Sequence, residues 1–96
     1  MRTPQPQVDV LVAWLCPAIA HACHVDAADV TGESRLADLG LDSLSLVSVL
    51  TLIEAEHGFE LASDETLALL EAADVRALAG TLAAIIDARR RTDAGR

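Results

Sequence analysis

The stretch Leu39-Gly40-Leu41-Asp42-Ser43-Leu44 is a loop-to-helix junction in front of a long apolar segment. Asp42 is a typical N-cap residue, because its carboxylate accepts a backbone N–H at the positive end of the helix dipole. Ser43 is then exposed in the first turn. This arrangement favours a serine modified by another enzyme, since a nucleophilic serine needs a base and an orienting group within reach. No Gly-x-Ser-x-Gly elbow is present, and His21, His24 and His57 are far from Ser43 in sequence.

The helix after this junction is predicted to run from about Ser43 to Glu56 and to stop near Gly58, a natural residue for a left-handed helix end. A wheel of about 100° per residue places five apolar side chains on one broad face, which is the expected core face. These residues are Leu46, Val47, Val49, Leu50 and Ile53.

Three further helices are predicted around this one. The first runs from Val8 to Cys23, and Pro17 is expected to bend it or end it early. A long connection over residues 24–38 follows, a length that is often functional, and it is expected to be pinned to the core by Val25, Val30, Leu36 and Leu39. The third helix is expected over about Asp64–Leu70, capped by Ser63 or Asp64. The fourth is expected over about Val75–Ala88, capped by Asp74, with Val75, Leu78, Leu82 and Ile85 facing the core.

The predicted fold is therefore an all-α four-helix bundle with a long first loop and a short third helix. Residues 1–7, which contain two prolines, are expected to be a disordered lead-in. Residues 8–88 form the domain, and residues 89–96 are an Arg-rich C-terminal tail.

Composition limits the functions open to this chain of 96 residues. It is 52% hydrophobic but only 2% aromatic, so the core is expected to be aliphatic. The net charge is −8, and the segment from Val8 to Asp87 carries fourteen acids against Arg35 and Arg76. A body this acidic repels nucleic acid and is suited to basic protein partners.

The cysteines and histidines give no sign of a metal site or a disulfide. Cys16 and Cys23 lie seven residues apart on one helix face and are expected to be small buried groups in a reducing, cytoplasmic compartment. The spacing of His21, Cys23 and His24 fits no metal motif. The apolar run after Val8 is a poor signal peptide and too short to span a membrane. Trp14 is expected to anchor the core, and His57 to pack its ring against the bundle.

A longer pattern gives the Asp-Ser-Leu triplet its specificity. Leu36-Ala37-Asp38-Leu39-Gly40-Leu41-Asp42-Ser43-Leu44 precedes an apolar helix, which is followed by Gly58-Phe59-Glu60-Leu61 and then Ala73-Asp74-Val75. This pattern resembles the acyl carrier and peptidyl carrier proteins, from about Val8 to Ile86.

The resemblance implies a non-catalytic carrier. In that family a separate phosphopantetheinyl transferase takes 4′-phosphopantetheine from coenzyme A, with Mg²⁺, and attaches it to a serine, which corresponds to Ser43. Asp42 matches the acid beside that serine, and Leu44 the apolar residue that touches partner enzymes. The other implied partners are an acyl- or aminoacyl-loading enzyme and downstream synthase or transferase enzymes, with the carrier as a monomer.

The outer face of the second helix departs from the commoner members, which are rich in acids there. A stripe opposite the core face is instead nearly uncharged, and we expect it to be an apolar partner surface. It consists of Leu44, Ser48, Thr51, Leu52 and Ala55. This departure favours a polyketide or nonribosomal peptide pathway.

Two alternatives remain beside this interpretation: a fatty-acid-type carrier, and an unmodified helical module that docks through its acidic surface. The chain is either free-standing or a domain of a larger synthase, with Met1 favouring the former.

Overall fold

Four α-helices build the protein, which a computed structural model describes over residues 5–94, with side chains described over residues 7–91. Within that range there is no β-strand, and one isolated bridge pairs Arg35 with Asp74. A single 3₁₀ turn, Ala27–Asp29, lies in the long connection between the first two helices. The predicted all-α fold, with its long first loop and short third helix, is confirmed. The helices are α1 (Gln5–Cys23), α2 (Ser43–His57), α3 (Ser63–Leu70) and α4 (Val75–Ala94).

The core is aliphatic, as the composition predicts. α1 packs against both α4 and α2, while α3 packs mainly against α4. No polar or charged side chain is buried among those described, so every fully enclosed side chain contributes apolar burial without a desolvation penalty. The most enclosed side chains are Leu15, Ile19, Val49, Ile53, Leu69, Val75, Leu78 and Leu82.

α1 begins three residues earlier than Val8 and is not interrupted at Pro17. Residues 5–7 of the predicted lead-in are thus helical, while residues 1–4 lie outside the described range. Pro17 removes one backbone donor from the helix. Leu15 and Ile19 on either side of it are both fully buried, and this packing holds the helix together across the proline.

The long connection is attached to the core at fewer points than predicted. Val30 and Leu36 are buried, and Leu39 is half-buried against the core. Val25 is 37% exposed, because it directly follows the end of α1, where His24 takes a left-handed backbone with φ of 60°.

α4 continues six residues beyond its predicted end at Ala88, so residues 89–94 of the predicted tail are helical. Arg89, the first residue of this extension, is held by several contacts. Its guanidinium lies 4.3 Å from the Phe59 ring centroid, donates to the Glu60 carbonyl at 2.8 Å and pairs with Glu65. These contacts fix the last turns of α4 against the segment that leads into α3.

Candidate functional site

Ser43 is the first residue of α2 and is exposed to solvent. Asp42 precedes it with an extended backbone and caps the helix, its Oδ1 accepting the Ser45 N–H at 2.8 Å. The Asp42 carbonyl accepts the Leu46 N–H at 2.9 Å, which is the first bond of the helix. The predicted cap is confirmed, and it presents the Ser43 hydroxyl at the positive end of the helix dipole.

Asp42 keeps a negative charge beside Ser43. Hydrogen bonds from the backbone and side chain of Ser45 lower the pKa of the Asp42 carboxyl below its ordinary value. Because these donors favour the ionised form, the carboxylate is charged throughout the neutral range.

A tight turn brings the loop to this junction. The Arg35 carbonyl accepts the backbone N–H groups of Asp38 at 3.0 Å and Leu39 at 3.2 Å, and the Leu36 carbonyl accepts that of Leu41 at 3.1 Å. Gly40 has a φ of 77°, a left-handed conformation that costs glycine little. The Leu-Gly pair before Asp42 therefore turns the chain so that α2 can begin.

A cavity of about 340 Å³ opens beside Ser43. The first loop, the start of α2 and the segment after α3 each form one side of it. Its volume is at the small end of the range for small-molecule sites, roughly 300–1,000 Å³. The lining residues are Arg35, Leu36, Ala37, Leu41, Asp42, Ser43, Leu46, Leu70, Ala72 and Ala73.

All five residues of the predicted apolar stripe on α2 are exposed, among them Leu44 at 78% and Leu52 at 44%. The Thr51 hydroxyl donates to the Val47 carbonyl at 3.0 Å, so its hydrogen is used within the helix. The surface therefore offers mainly apolar groups.

Val47 is not part of the core face, contrary to the prediction, and is 50% exposed. The other four residues predicted for that face are buried: Leu46, Val49, Leu50 and Ile53. Val47 lies about 100° around the helix from Leu46, at the edge of the buried face. It widens the exposed apolar surface of α2 toward the core boundary.

His57 packs at the other end of α2, as predicted. Its ring makes an edge contact with Trp14 at 6.4 Å between centroids and stacks on Phe59 at 6.0 Å. Trp14 is half-buried against the core. Gly58 ends the helix with a φ of 72°, which confirms the predicted left-handed residue.

Cys16 and Cys23 are both free and half-buried, so they are less enclosed than predicted. Burial raises the pKa of each thiol, helped by Glu33 near Cys16 and by Asp42 near Cys23. Over the described residues no cluster of three or more metal-ligating side chains occurs, and none of the helices there is long and apolar enough to cross a membrane.

Sequence reasoning missed Arg35, which lines the cavity together with Ser43. Arg35 is brought there by pairing with residues around Asp74, almost forty positions along the chain. No local pattern in the sequence carries that information, because the pairing joins two irregular segments.

These features suit attachment of a phosphate-linked arm. The serine hydroxyl is accessible, the helix dipole favours an anion, and an arginine lines the adjoining cavity. A comparison with protein families matches residues 13–82 to the family described as the phosphopantetheine attachment site. That match covers most of the chain, including the whole of α2. The chain therefore belongs to the phosphopantetheine attachment family, and 4′-phosphopantetheine is its prosthetic group.

Proposed function

We propose that this chain is an acyl or aminoacyl carrier protein whose 4′-phosphopantetheine arm is attached to Ser43. The observation that supports it best is the exposed Ser43 hydroxyl at the capped start of α2, inside the matched region. When bound, the arm supplies a terminal thiol that holds the cargo as a thioester. The carrier is non-catalytic, since its own residues present the arm and partner enzymes perform the chemistry.

Ser43 takes part in one covalent step, which a transferase catalyses. The Ser43 oxygen forms a bond to the phosphorus of the pantetheine phosphate in coenzyme A. The pyrophosphate bond to that phosphorus breaks, adenosine 3′,5′-bisphosphate leaves, and the hydroxyl proton passes to a base of the transferase. Asp42 holds the helix start in place during this step through its bond to Ser45.

Intact-mass spectrometry tests this assignment. The protein is incubated with coenzyme A, Mg²⁺ and a broad-specificity phosphopantetheinyl transferase. We expect the wild type to gain one phosphopantetheine and Ser43→Ala to gain none. Ser63→Ala is the matched control, because Ser63 is also exposed and also begins a helix. Loss of the gain in Ser63→Ala, or its persistence in Ser43→Ala, would contradict the assignment.

The outer surface of α2 supports a pathway of the polyketide or nonribosomal peptide type. Leu44, Ser48, Thr51, Leu52 and Ala55 are all exposed, and no charged residue lies between Asp42 and Glu54. A carrier recognised through such a surface depends on apolar contact with its loading enzyme more than on ion pairs.

The rate at which the loading enzyme attaches the acyl or aminoacyl group distinguishes apolar from electrostatic recognition of the carrier. We expect Leu52→Glu to slow loading at least tenfold, while Leu67→Glu leaves it near the wild-type value. Leu67 is an exposed leucine on α3, outside the proposed surface. A loading rate that is insensitive to Leu52→Glu but falls steeply with salt would indicate a charge-driven partner, as in a fatty-acid-type carrier.

Absence of any phosphopantetheine on the folded wild type, with a dedicated transferase also tried, would indicate an unmodified docking module.

A further inference from the structure

Among the described side chains Arg35 forms no ion pair, although the domain is strongly acidic. Between Val8 and Asp87 the sequence holds two arginines, Arg35 and Arg76. Arg76 pairs with Asp9 at 3.0 Å and with Glu33 at 3.2 Å. Among the side chains described, residues 7–91, the Arg35 guanidinium pairs with no carboxylate. Its charge is therefore available to an anion that the folded chain does not itself supply.

The backbone of Arg35 is held on both sides. The Leu36 N–H donates to the Ala73 carbonyl at 3.0 Å, and the Val75 N–H donates to the Ser34 carbonyl at 3.1 Å. Together with the turn bonds to the Arg35 carbonyl, these contacts fix its position at the cavity that Ser43 also lines. Both residues are exposed, so an anion bound in the cavity can be reached from solvent on either side.

Asp42 is the acidic residue of the same cavity, yet it is used elsewhere. Its Oδ1 accepts the Ser45 N–H, and the lowered pKa of its carboxyl comes from Ser45 and neighbouring backbone groups rather than from Arg35. The start of α2 thus uses the carboxylate as a cap. Arg35 and Asp42 form no ion pair with each other, so the guanidinium can bind a second anion.

We propose that the Arg35 guanidinium is the counter-ion of the phosphodiester formed at Ser43, and that it holds the base of the arm on the cavity side of α2. This inference rests on Ser43 being the attachment site. A guanidinium binds a phosphate through paired, charge-assisted hydrogen bonds, so it orients the phosphate as well as attracting it. A lysine would retain attraction but lose most of that orientation.

The test uses the loaded protein alone, without any partner enzyme. Four proteins are each converted to the phosphopantetheinyl form: wild type, Arg35→Gln, Arg35→Lys and Arg90→Gln. Intact mass verifies that each has gained one phosphopantetheine. Arg90→Gln is the matched control, because Arg90 is exposed, does not line the cavity and forms no ion pair among the described side chains. The ³¹P resonance of each protein is then recorded, together with the Arg Nε–H resonances before and after loading.

We expect loading to shift the Arg35 Nε–H resonance, and the ³¹P resonance of Arg35→Gln to differ from that of wild type and of Arg90→Gln. Arg35→Lys should fall between them. The difference should shrink as the ionic strength rises from about 0.1 M to about 1 M, because the Debye length falls from about 10 Å to about 3 Å.

Other results overturn the inference and identify its fault. If all four proteins gain phosphopantetheine and their ³¹P resonances coincide, Arg35 is not the counter-ion, although Ser43 remains the attachment site. If Arg35→Gln only slows the attachment of phosphopantetheine, Arg35 contacts the transferase or its coenzyme instead. If wild type and Ser43→Ala gain phosphopantetheine equally, the proposed attachment site itself is wrong.

Discussion

The start of α4 shows how residues 73–75 can cap a helix and also help to position a distant site. Its Oδ1 accepts the Ala77 N–H at 2.7 Å, which caps α4. The neighbouring Ala73 carbonyl accepts the Leu36 N–H, and this pairing holds Arg35 at the cavity beside Ser43. The start of α4 therefore contributes to the shape of a site that lies more than thirty residues earlier in the chain.

Replacing the cap should weaken the fold measurably. We expect Asp74→Ala to lower the free energy of unfolding by about 1 kcal/mol, within a range of roughly 0.5–2 kcal/mol for lost N-caps. Asp74→Asn should remain near wild type, because asparagine caps about as well as aspartate. Urea unfolding followed by circular dichroism measures both. Equal destabilisation by the two variants would show that the charge matters rather than the cap.

Local signals in the sequence were sufficient for some of these residues. The caps Asp42 and Asp74 and the left-handed Gly58 are confirmed, because each depends on its own helix. The cap of α3 was wrong. Neither Ser63 nor Asp64 caps it, and Glu65 instead accepts the Ala62 N–H at 2.8 Å. Arg89 also pairs with Glu65, a partner 24 residues away that no local signal reveals.

At the scale of elements, α3 and the end of α4 stabilise each other through Glu65 and Arg89. The Ala62 N–H, and after it Arg89, lower the pKa of the Glu65 carboxyl against the opposing effect of burial. Arg89 also covers Phe59, and Glu54 on α2 accepts the Leu61 N–H at 2.8 Å. The segment between α2 and α3 is therefore held from both sides.

This arrangement predicts a pH-dependent contribution to stability. The folded-state pKa of Glu65 lies below its unfolded value of about 4.3, so its contribution is complete above that pH. The contribution is lost as the pH falls through the folded-state value. We expect the wild type to be more stable than Glu65→Gln at pH 7 and the difference to narrow toward pH 3. Urea midpoints across that range measure it, and a constant difference would contradict the linkage.

The ends of the elements were harder to predict than their existence. Periodicity located all four helices, yet α1 starts at Gln5 and α4 continues to Ala94. Pro6 is tolerated in the first turn of α1, where its missing N–H has no partner to lose. The extension of α4 begins with Arg89, which contacts residues distant in the sequence. Tertiary contacts of this kind are absent from a single-helix pattern.

At the scale of the whole molecule, two apolar regions differ in their exposure to solvent. One is the aliphatic core, shared by all four helices and completed by Val30 and Leu36 of the long connection. The other is the exposed surface of α2, which includes Leu44 and Leu52. Because only the core is buried, we expect substitutions there to lower the free energy of unfolding, and substitutions on the exposed surface of α2 to leave it nearly unchanged.

Leu82→Ala should destabilise the fold by about 2–5 kcal/mol, because a fully buried leucine leaves a cavity when truncated. That is a large share of the roughly 5–15 kcal/mol that holds a small domain folded. Leu44→Ala, at an exposed position, should stay within about 0.5 kcal/mol of wild type. Urea unfolding measures both variants. A large decrease in the free energy of unfolding of Leu44→Ala would mean that this side chain stabilises the fold, which would contradict its placement on an exposed surface.

The contact of Trp14 with His57 has a spectroscopic consequence. The chain contains one tryptophan and no tyrosine, so its near-ultraviolet fluorescence arises at a single place. Trp14 lies on α1 and contacts His57 at the C-terminal end of α2. Ser43 begins that helix of 15 residues, which is about 22 Å long at about 1.5 Å per residue. We therefore expect the emission to follow folding and to change little when Ser43 is modified, so that both processes can be followed in one sample.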